Sequence, residues 1–372
     1  MKIDLNEIEK RIDDGLIWRQ RTADGSLMIL NYTQRCTYER IWDEYTTLAR
    51  GLILRKDGTI HARSMSKFWN LSEPPGPSID NLPNEDPVIT LKLDGFLGLT
   101  YTHEGRIKVA SRGSFTSEYA QWATKWLWER NPLITRDIVE HQGYTYVFEI
   151  LYPYRRIVVD NSGKYGLVLL TVVDNETGRD LPRIEVEAIA KLCRWEVVPA
   201  FETHSIADCV ELARHTKGTE QEGFVAHYPK SGIRVKIKGE DYSKIHRIVT
   251  RLTKRRVWEV LSSGNGSITI YEMRSVLPEQ YAEWVDGVVA GFRAEYETIW
   301  RRVVAASISC NSLKRTGAPR RVIVDALSEN FPDVFHEALY IHDGKLDKAE
   351  ACIWKRLRPE HETPLVQDGS DE

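Results

Sequence analysis

The chain reads as a mixed α/β domain up to about residue 240 followed by an all-α domain, 241–372. Two patterns and one bulk property lead there. Before 240, short apolar or alternating runs are punctuated by Asp-Gly, Glu-Gly and Asn-Ser-Gly turns, the signature of strands. After 240, apolar residues recur every three or four positions, the signature of helices. With 372 residues, 42% of them hydrophobic, the chain can bury more than one core.

In chain order, "GLILRKDGTIHAR", "VITLKLDGFLGLTYT", "RIKVAS", "YTYVFEI", "RIVVD", "GLVLLTVV", "GFVAHY" and "IRVKIK" are the expected strands. Helices are expected at about 117–130, where Trp122 and Trp126 stand one turn apart for core packing, and at about 184–193 and 205–215. The segment "EPPGPSIDNLPNEDP" carries five prolines and must be an extended loop, since proline cannot donate to a ladder. Beyond 240, "DYSKIHRIVTRLTKRRVWEVLSSG" spaces Ile245, Ile248, Val249 and Leu252 as one helix, and Val285, Val288, Val289, Phe292, Tyr296 and Val303 continue the pattern in a second. The acidic end "PEHETPLVQDGSDE" is expected to fray, and no internal repeat is visible.

Composition excludes several classes. No apolar run approaches the roughly 20 residues of a bilayer span, and the polar start "MKIDLNEIEKRIDDG" is neither signal nor transit peptide, so a cytoplasmic setting is expected. Cys36, Cys193, Cys209, Cys310 and Cys352 form no CxxC pair, against both a disulfide framework and a zinc site. "GNGSIT" at 264–269 lacks the third glycine of a dinucleotide loop, and no phosphate-loop motif occurs. The net charge is only −3, but Ser231–Val260 holds nine Lys or Arg against three acids. In that stripe Arg247, Arg251, Lys254, Arg255 and Arg256 are candidates to follow the phosphates of a nucleic acid; a solvated helix face is the plain alternative.

The chemistry centres on "LKLDGFLG", where Lys92 stands in an apolar run two residues before Asp94. Desolvation would disfavour its ammonium and prepare an amine nucleophile. Downstream, "YVFEI" brings Glu149, "EGFVAH" brings Glu222, and "VKIK" puts Lys236 and Lys238 on one strand face. Asp94, Glu149 and Glu222 could hold the hydration shell of a magnesium ion. The two lysines could neutralise phosphate and, by like charge, lower the pKa of Lys92. Each residue alone is explained as well by a surface ion pair; their joint occurrence is not.

The ordered series KLDG, SRGSF, FE, LVLLTVVDNETG, EGFVAH and VKIK resembles motifs I, Ia, III, IIIa, IV and V of covalent nucleotidyltransferases, the polynucleotide ligases and RNA capping enzymes. With "ARGLIL", "GTIHARSMSKFWNLSE", "FEILYPYRRIVV" and "DNETG", residues of about 30–240 resemble the phage T4 RNA ligase 1 family, although Phe96 stands where serine often follows KxDG. The resemblance implies an ATP-grasp-like, antiparallel-sheet adenylyltransferase domain over 1–240, with an N-terminal module of about 1–85. It implies ATP and Mg2+ as cofactors, with Mn2+ able to substitute, and lysyl-AMP and AppRNA intermediates. Lys92 would be the nucleophile and Asp94, Glu149 and Glu222 would hold the metal through water, while Lys236 and Lys238 contact the α-phosphate. Arg50 and Lys67 would orient the outer phosphates, and Arg112 is a candidate for nucleotide or RNA 5′-phosphate. The adenine slot would be lined by Phe148, Val225 and residues 167–170, with backbone near Leu91 and Gly95 completing the ATP site.

The implied partners are RNA with 5′-phosphate and 3′-hydroxyl ends, cleaved tRNA among them, and an end-healing kinase or phosphatase; a monomer is expected, in the host cytoplasm if phage-encoded. The alternatives are a DNA ligase or capping-type enzyme, which normally appends an OB-fold, and a noncatalytic RNA-binding protein on a ligase scaffold.

Overall fold

Residues 1–130, 143–161, 163–201, 205–263 and 269–360 are described by the computed structural model. The acidic end beyond 360 and most of "GNGSIT" lie outside them. The chain separates into two compact units, residues 1–246 and 247–367.

In the first unit, β1 (Ile17–Arg21), β2 (Leu27–Tyr32), β3 (Arg50–Arg55) and β4 (Ile60–Ala62) pair in order as an antiparallel sheet. The helix Leu5–Asp13, capped by the Asp4 carboxylate on the Asn6 N–H, buries Ile8 with Met28, Leu30 and Leu52 of that sheet. Two five-stranded sheets follow. One contains β7 (Phe96–His103), β8 (Arg106–Ser111), β9 (Tyr144–Leu151), β10 (Gly166–Asp174) and β11 (Glu196–Val197), in the order β11-β10-β9-β7-β8. The other contains β5 (Trp69–Asn70), β6 (Val88–Lys92), β12 (Ala200–Phe201), β13 (Gly223–His227) and β14 (Arg234–Lys238), in the order β12-β6-β13-β14-β5. Pairing is antiparallel except where short β11 and β5 join in parallel. Met65, Leu97 and Val147 pack with Val225, and Leu151 and Val168 pack with Leu91, so side chains of both sheets share the core. Each such side chain contributes about 1.5–3 kcal/mol when fully buried.

The expected helices occur at Glu118–Arg130, Arg183–Cys193 and Ile206–His215. Trp122 meets Tyr152 edge-on, and Trp126 covers Gly166, where a Cβ would come within 3.0 Å of its ring. The proline segment forms no strand and only the short turn Ile79–Asn81. The five cysteines are all free thiols, four of them buried.

Gly223 sets the register that matters most. It is the first residue of β13, opposite Lys92 on one side and Lys238 on the other. Its φ of +146° suits only glycine, and a Cβ there would lie 2.0 Å from the Ile237 carbonyl oxygen. Gly223→Ala is therefore expected to cost at least about 3 kcal/mol. Urea melts check this; wild-type stability in the variant would contradict the close approach.

The second unit is helical, with Lys254–Ser262, Ile270–Ser275, the 37-residue Glu279–Arg315, Arg320–Asn330, Phe335–His342 and Leu346–Arg356. Val303, Cys310, Ile323, Leu327, Ala338 and Ile353 form its core. The stretch expected as one helix after 240 is two, Glu240–Thr250 and Lys254–Ser262. Apolar spacing runs on through Leu252, but the Thr253 side chain accepts from the Arg256 N–H and starts a new helix. The division between the two compact units falls inside the first of these helices, after His246. Among the described residues no helix is long and apolar enough to cross a membrane.

Candidate active site

β6, β13 and β14 lie side by side, so their ends bring Lys92, Glu222 and Lys238 together. Lys92 Nζ is 2.9 Å and Lys238 Nζ 3.2 Å from the same Glu222 Oε1, and the glutamate is 2% exposed. The neighbouring sheet supplies Glu149 from β9. The glycine of KLDG permits this approach, since a Cβ on Gly95 would meet the Ile150 carbonyl oxygen at 2.6 Å and Glu149 Cγ at 3.0 Å. Between the sheets lies a cavity of about 390 Å3. Arg50, Lys92, Glu149, Glu222, Lys236 and Lys238 give part of its polar lining, and Leu91, Leu170 and Val225 part of its apolar lining.

Lys92 does not have the lowered pKa expected of it. Burial favours the neutral amine, but Glu222, Glu149 and Asp94 outweigh it and hold the pKa above the usual lysine value. The depressed lysines are its neighbours. Burial, then the charges of Lys67, Lys238, Lys92 and Arg50, push Lys236 well below its ordinary range. Burial and Arg50 push Lys67 down to about 7. Lys236 and Lys67 would be recharged by an anion, and phosphate is the anion their geometry suits.

Asp94, expected to share in holding a cation, is committed elsewhere. Its Oδ2 accepts from the N–H groups of Val158 and Val159, both at 2.7 Å, and its Oδ1 accepts from the Tyr242 hydroxyl at 2.8 Å. It ties the strand-end turn to the 157–159 segment and to the helix Glu240–Thr250. Glu149 is half-buried; burial, with Glu222 and Asp94, pushes it up to about 7 against the opposing charges of Lys92 and Arg50. Among the described residues no three carboxylate, His or Cys groups are placed to ligate a metal ion directly. The oxygen donors fit a hydrated Mg2+ or Mn2+ held from Glu149, with Glu222 beside it, better than a caged one.

Other expected residues divide. Arg50 is buried, its guanidinium 5.3 Å over the Phe68 ring. Lys67 faces the rings of Tyr32 and Trp42 at 5.4 and 5.3 Å and lines an adjoining cavity rather than the main one. Arg112 donates to the Tyr32 hydroxyl at 3.2 Å and lines a separate hollow with Trp18 and Tyr119. Phe148 does not line the adenine slot. Strand alternation that turns Glu149 into the cleft turns Phe148 into the core, fully buried and edge-on to Trp195 at 5.1 Å. Arg247, Arg251, Lys254 and Arg256 are exposed in the helical unit, while Arg255 is half-buried; Arg255 and Arg256 both reach Glu259.

Three residues were missed. Phe68 carries Lys236 at 4.7 Å, Arg50 and Arg234 around its ring. Arg234 shares the strand face of Lys236 and Lys238, and the alternation in "RVKIK" already signalled it. Tyr242 carries no local signal, because its partner Asp94 is 148 residues away.

A strand-end lysine bridged by glutamate to a second lysine, in a cation-rich cleft between two largely antiparallel sheets, defines a protein of the nucleotidyltransferase class. The family model described as RNA ligase, of the T4 RNA ligase 1 type, matches residues 48–242, more than half of the chain, and the chain belongs to that family. Over 203 residues it is 29% identical to a Thermovibrio ammonificans protein named "Putative RNA ligase", covering 53% of this chain and 52% of the other. The chain thus spans about half the length of that relative. Among solved structures, Naegleria gruberi RNA ligase with pyrophosphate aligns over 44% of this chain and 52% of that one, at 20% identity and a TM-score of 0.36. A lysine-to-alanine variant of the same ligase with ATP and Mn aligns over the same shares, at 19% identity and a TM-score of 0.35.

Proposed function

We propose that this protein is an ATP-dependent RNA ligase that joins RNA 5′-phosphate to 3′-hydroxyl ends. The observation that carries the reading is Lys92 and Lys238 on one oxygen of Glu222, at a cleft that Arg50, Glu149 and Lys236 also line. Membership of the RNA ligase family favours RNA over DNA ends. The adenylyltransferase domain is residues 1–240 with its N-terminal module of about 1–85, and the helical domain follows.

In the first step the Lys92 amine, having lost its proton, attacks the α-phosphorus of ATP; the P–N bond forms as the bond to pyrophosphate breaks. Lys236 and Lys238 neutralise charge on the α-phosphate, Arg50 and Lys67 hold the outer phosphates for in-line departure, and Arg112 waits on the RNA side. A divalent cation held from Glu149 and Glu222 through water would add charge neutralisation at the phosphate oxygens. Asp94 positions rather than coordinates, fixing the turn after Lys92. The adenine is held by Leu91, Gly95, Val225 and the Leu170 end of the aliphatic run. An RNA 5′-phosphate oxygen then takes AMP from Lys92, breaking the P–N bond. A 3′-hydroxyl attacks the resulting anhydride and AMP leaves. Arg247, Arg251, Lys254, Arg255 and Arg256 are proposed contacts for RNA phosphates, and repair of cleaved RNA, tRNA included, is the proposed role.

The test presents RNA and DNA ends, singly and as nicked stem-loops, with ATP or GTP. Joining of RNA with ATP is expected. Joining that prefers DNA, or transfer from GTP alone, would replace this reading with a DNA ligase or a capping-type enzyme.

A further inference from the structure

Outside the cleft, aromatic rings of the first unit gather around Tyr152. Tyr119 and Trp122 stand one turn apart on the helix Glu118–Arg130. Tyr152, the residue after β9, meets Tyr119 edge-on at 6.3 Å and Trp122 at 5.6 Å, and Tyr154 meets Tyr152 edge-on at 5.4 Å. Tyr119 also lies flat on the buried Phe96, with 4.4 Å between ring centres. Tyr119 and Phe96 then line a hollow together with Trp18, Leu97 and Arg112. Tyr154 is 80% and Trp18 47% exposed.

The cluster does not read as closed core. Tyr119, Trp122 and Tyr152 are only half-buried. Among the described residues no hydrogen bond uses the hydroxyls of Tyr119, Tyr152 and Tyr154 or the indole N–H groups of Trp18 and Trp122, and these atoms stay open to water. Flat apolar faces with wet polar edges suit a partner built the same way, and a nucleobase is one. The basic residues alongside are already paired: Arg155 reaches Glu118 at 3.8 Å and Arg156 reaches Asp160 at 3.3 Å. The cluster therefore offers ring surface rather than a field for phosphates. Its position favours a polynucleotide over a protein. Leu97 lines both this hollow and the catalytic cleft. Phe96 comes two residues after Asp94 and Tyr152 three after Glu149, so a chain whose end lies in the cleft meets these rings as it leaves.

We infer that Trp18, Tyr119 and Tyr154 form a stacking platform for unpaired bases of the RNA strand whose end enters the cleft, with Trp122 and Tyr152 holding the rings in place. The inference rests on the RNA ligase reading and adds to it a base-contacting surface, distinct from the basic stripe of the helical unit.

The test measures binding of a fluorescein-labelled single-stranded RNA by anisotropy, as a function of salt, for Trp18→Ala, Tyr154→Ala and the double variant, with thermal melts of each. Each alanine is expected to weaken binding on the order of 10-fold. The slope of log affinity against log salt should not change, because no phosphate contact is lost. Tyr154→Trp should bind at least as tightly as wild type. With abasic riboses placed one at a time along the strand, one position should cost as much as Tyr154→Ala does and add nothing to it. Unchanged affinity in the double variant would overturn the inference and leave the rings to a protein partner. So would a lowered salt slope, or an equal loss on a blunt RNA duplex, since either marks a backbone contact. Tyr154→Ala alone carries the test should Trp18→Ala not fold. Should the wild type take no label from ATP, the ligase reading falls, while the abasic series still judges the platform.

Discussion

Lys92→Arg is expected to leave a folded protein that never takes covalent adenylate. Arginine keeps the positive charge and can still pair with the buried Glu222, so the cluster that holds the three strand ends survives. What it cannot supply is a neutral amine, because a guanidinium stays protonated at any working pH and is a poor nucleophile. Removing a covalent nucleophile costs on the order of 10^4-fold or more in rate. The readout is radiolabel from ATP that persists on the chain through denaturing electrophoresis: present in wild type, absent in the variant, with matching melts for both. Label retained by the arginine variant would mean that another side chain is the acceptor. Supplying a pre-adenylylated RNA should then bypass the block, since sealing from AppRNA needs no lysine adduct; failure there would point to collapse of the cleft instead.

The first unit was legible in the sequence where local pattern and chemistry coincide. Alternation located the strands carrying Lys92, Glu149 and Lys236 and the one that Glu222 immediately precedes, and the glycines beside them mark the close approaches that assemble the site. What escaped depended on which face of a strand is turned inward. Phe148 and Glu149 are neighbours in sequence and point to opposite sides, so both could not line one slot. The same rule, carried two residues back from Lys236 in "RVKIK", would have included Arg234. Electrostatic direction was less legible still. From sequence alone Lys236 and Lys238 were expected to lower the pKa of Lys92; in the fold Glu222 is its contact and the like-charge pressure falls on Lys236. The Asp94–Tyr242 hydrogen bond depends on how distant segments dock, to which apolar periodicity is blind.

Lys236→Met should make the protein more stable and far less active. The methionine side chain is close in length and volume, and it rests as well against Phe68, over whose ring the ammonium now lies at 4.7 Å. Burial and four neighbouring cations hold the folded-state pKa of Lys236 well below its ordinary value. The unfolded chain therefore binds a proton that the folded chain resists, and the lysine subtracts stability at every pH below its unfolded pKa of roughly 10.4. The sign follows: the cost is fully present below the folded pKa and fades as pH rises towards the unfolded one. Replacing such a buried charge by an apolar isostere commonly stabilises by about 1–4 kcal/mol. Thermal melts should show the variant ahead at pH 7, with its lead shrinking by pH 10. Adenylate transfer should fall on the order of 10^2- to 10^3-fold, because a positioned charge on the transferring phosphate is lost. Adding ATP with Mg2+ should narrow the gap in melting temperature by stabilising the wild type more, since the phosphate brings a further anion beside the crowded lysines. A variant less stable than wild type, or one that transfers adenylate at the wild-type rate, would show that Lys236 is held for packing and not for phosphate.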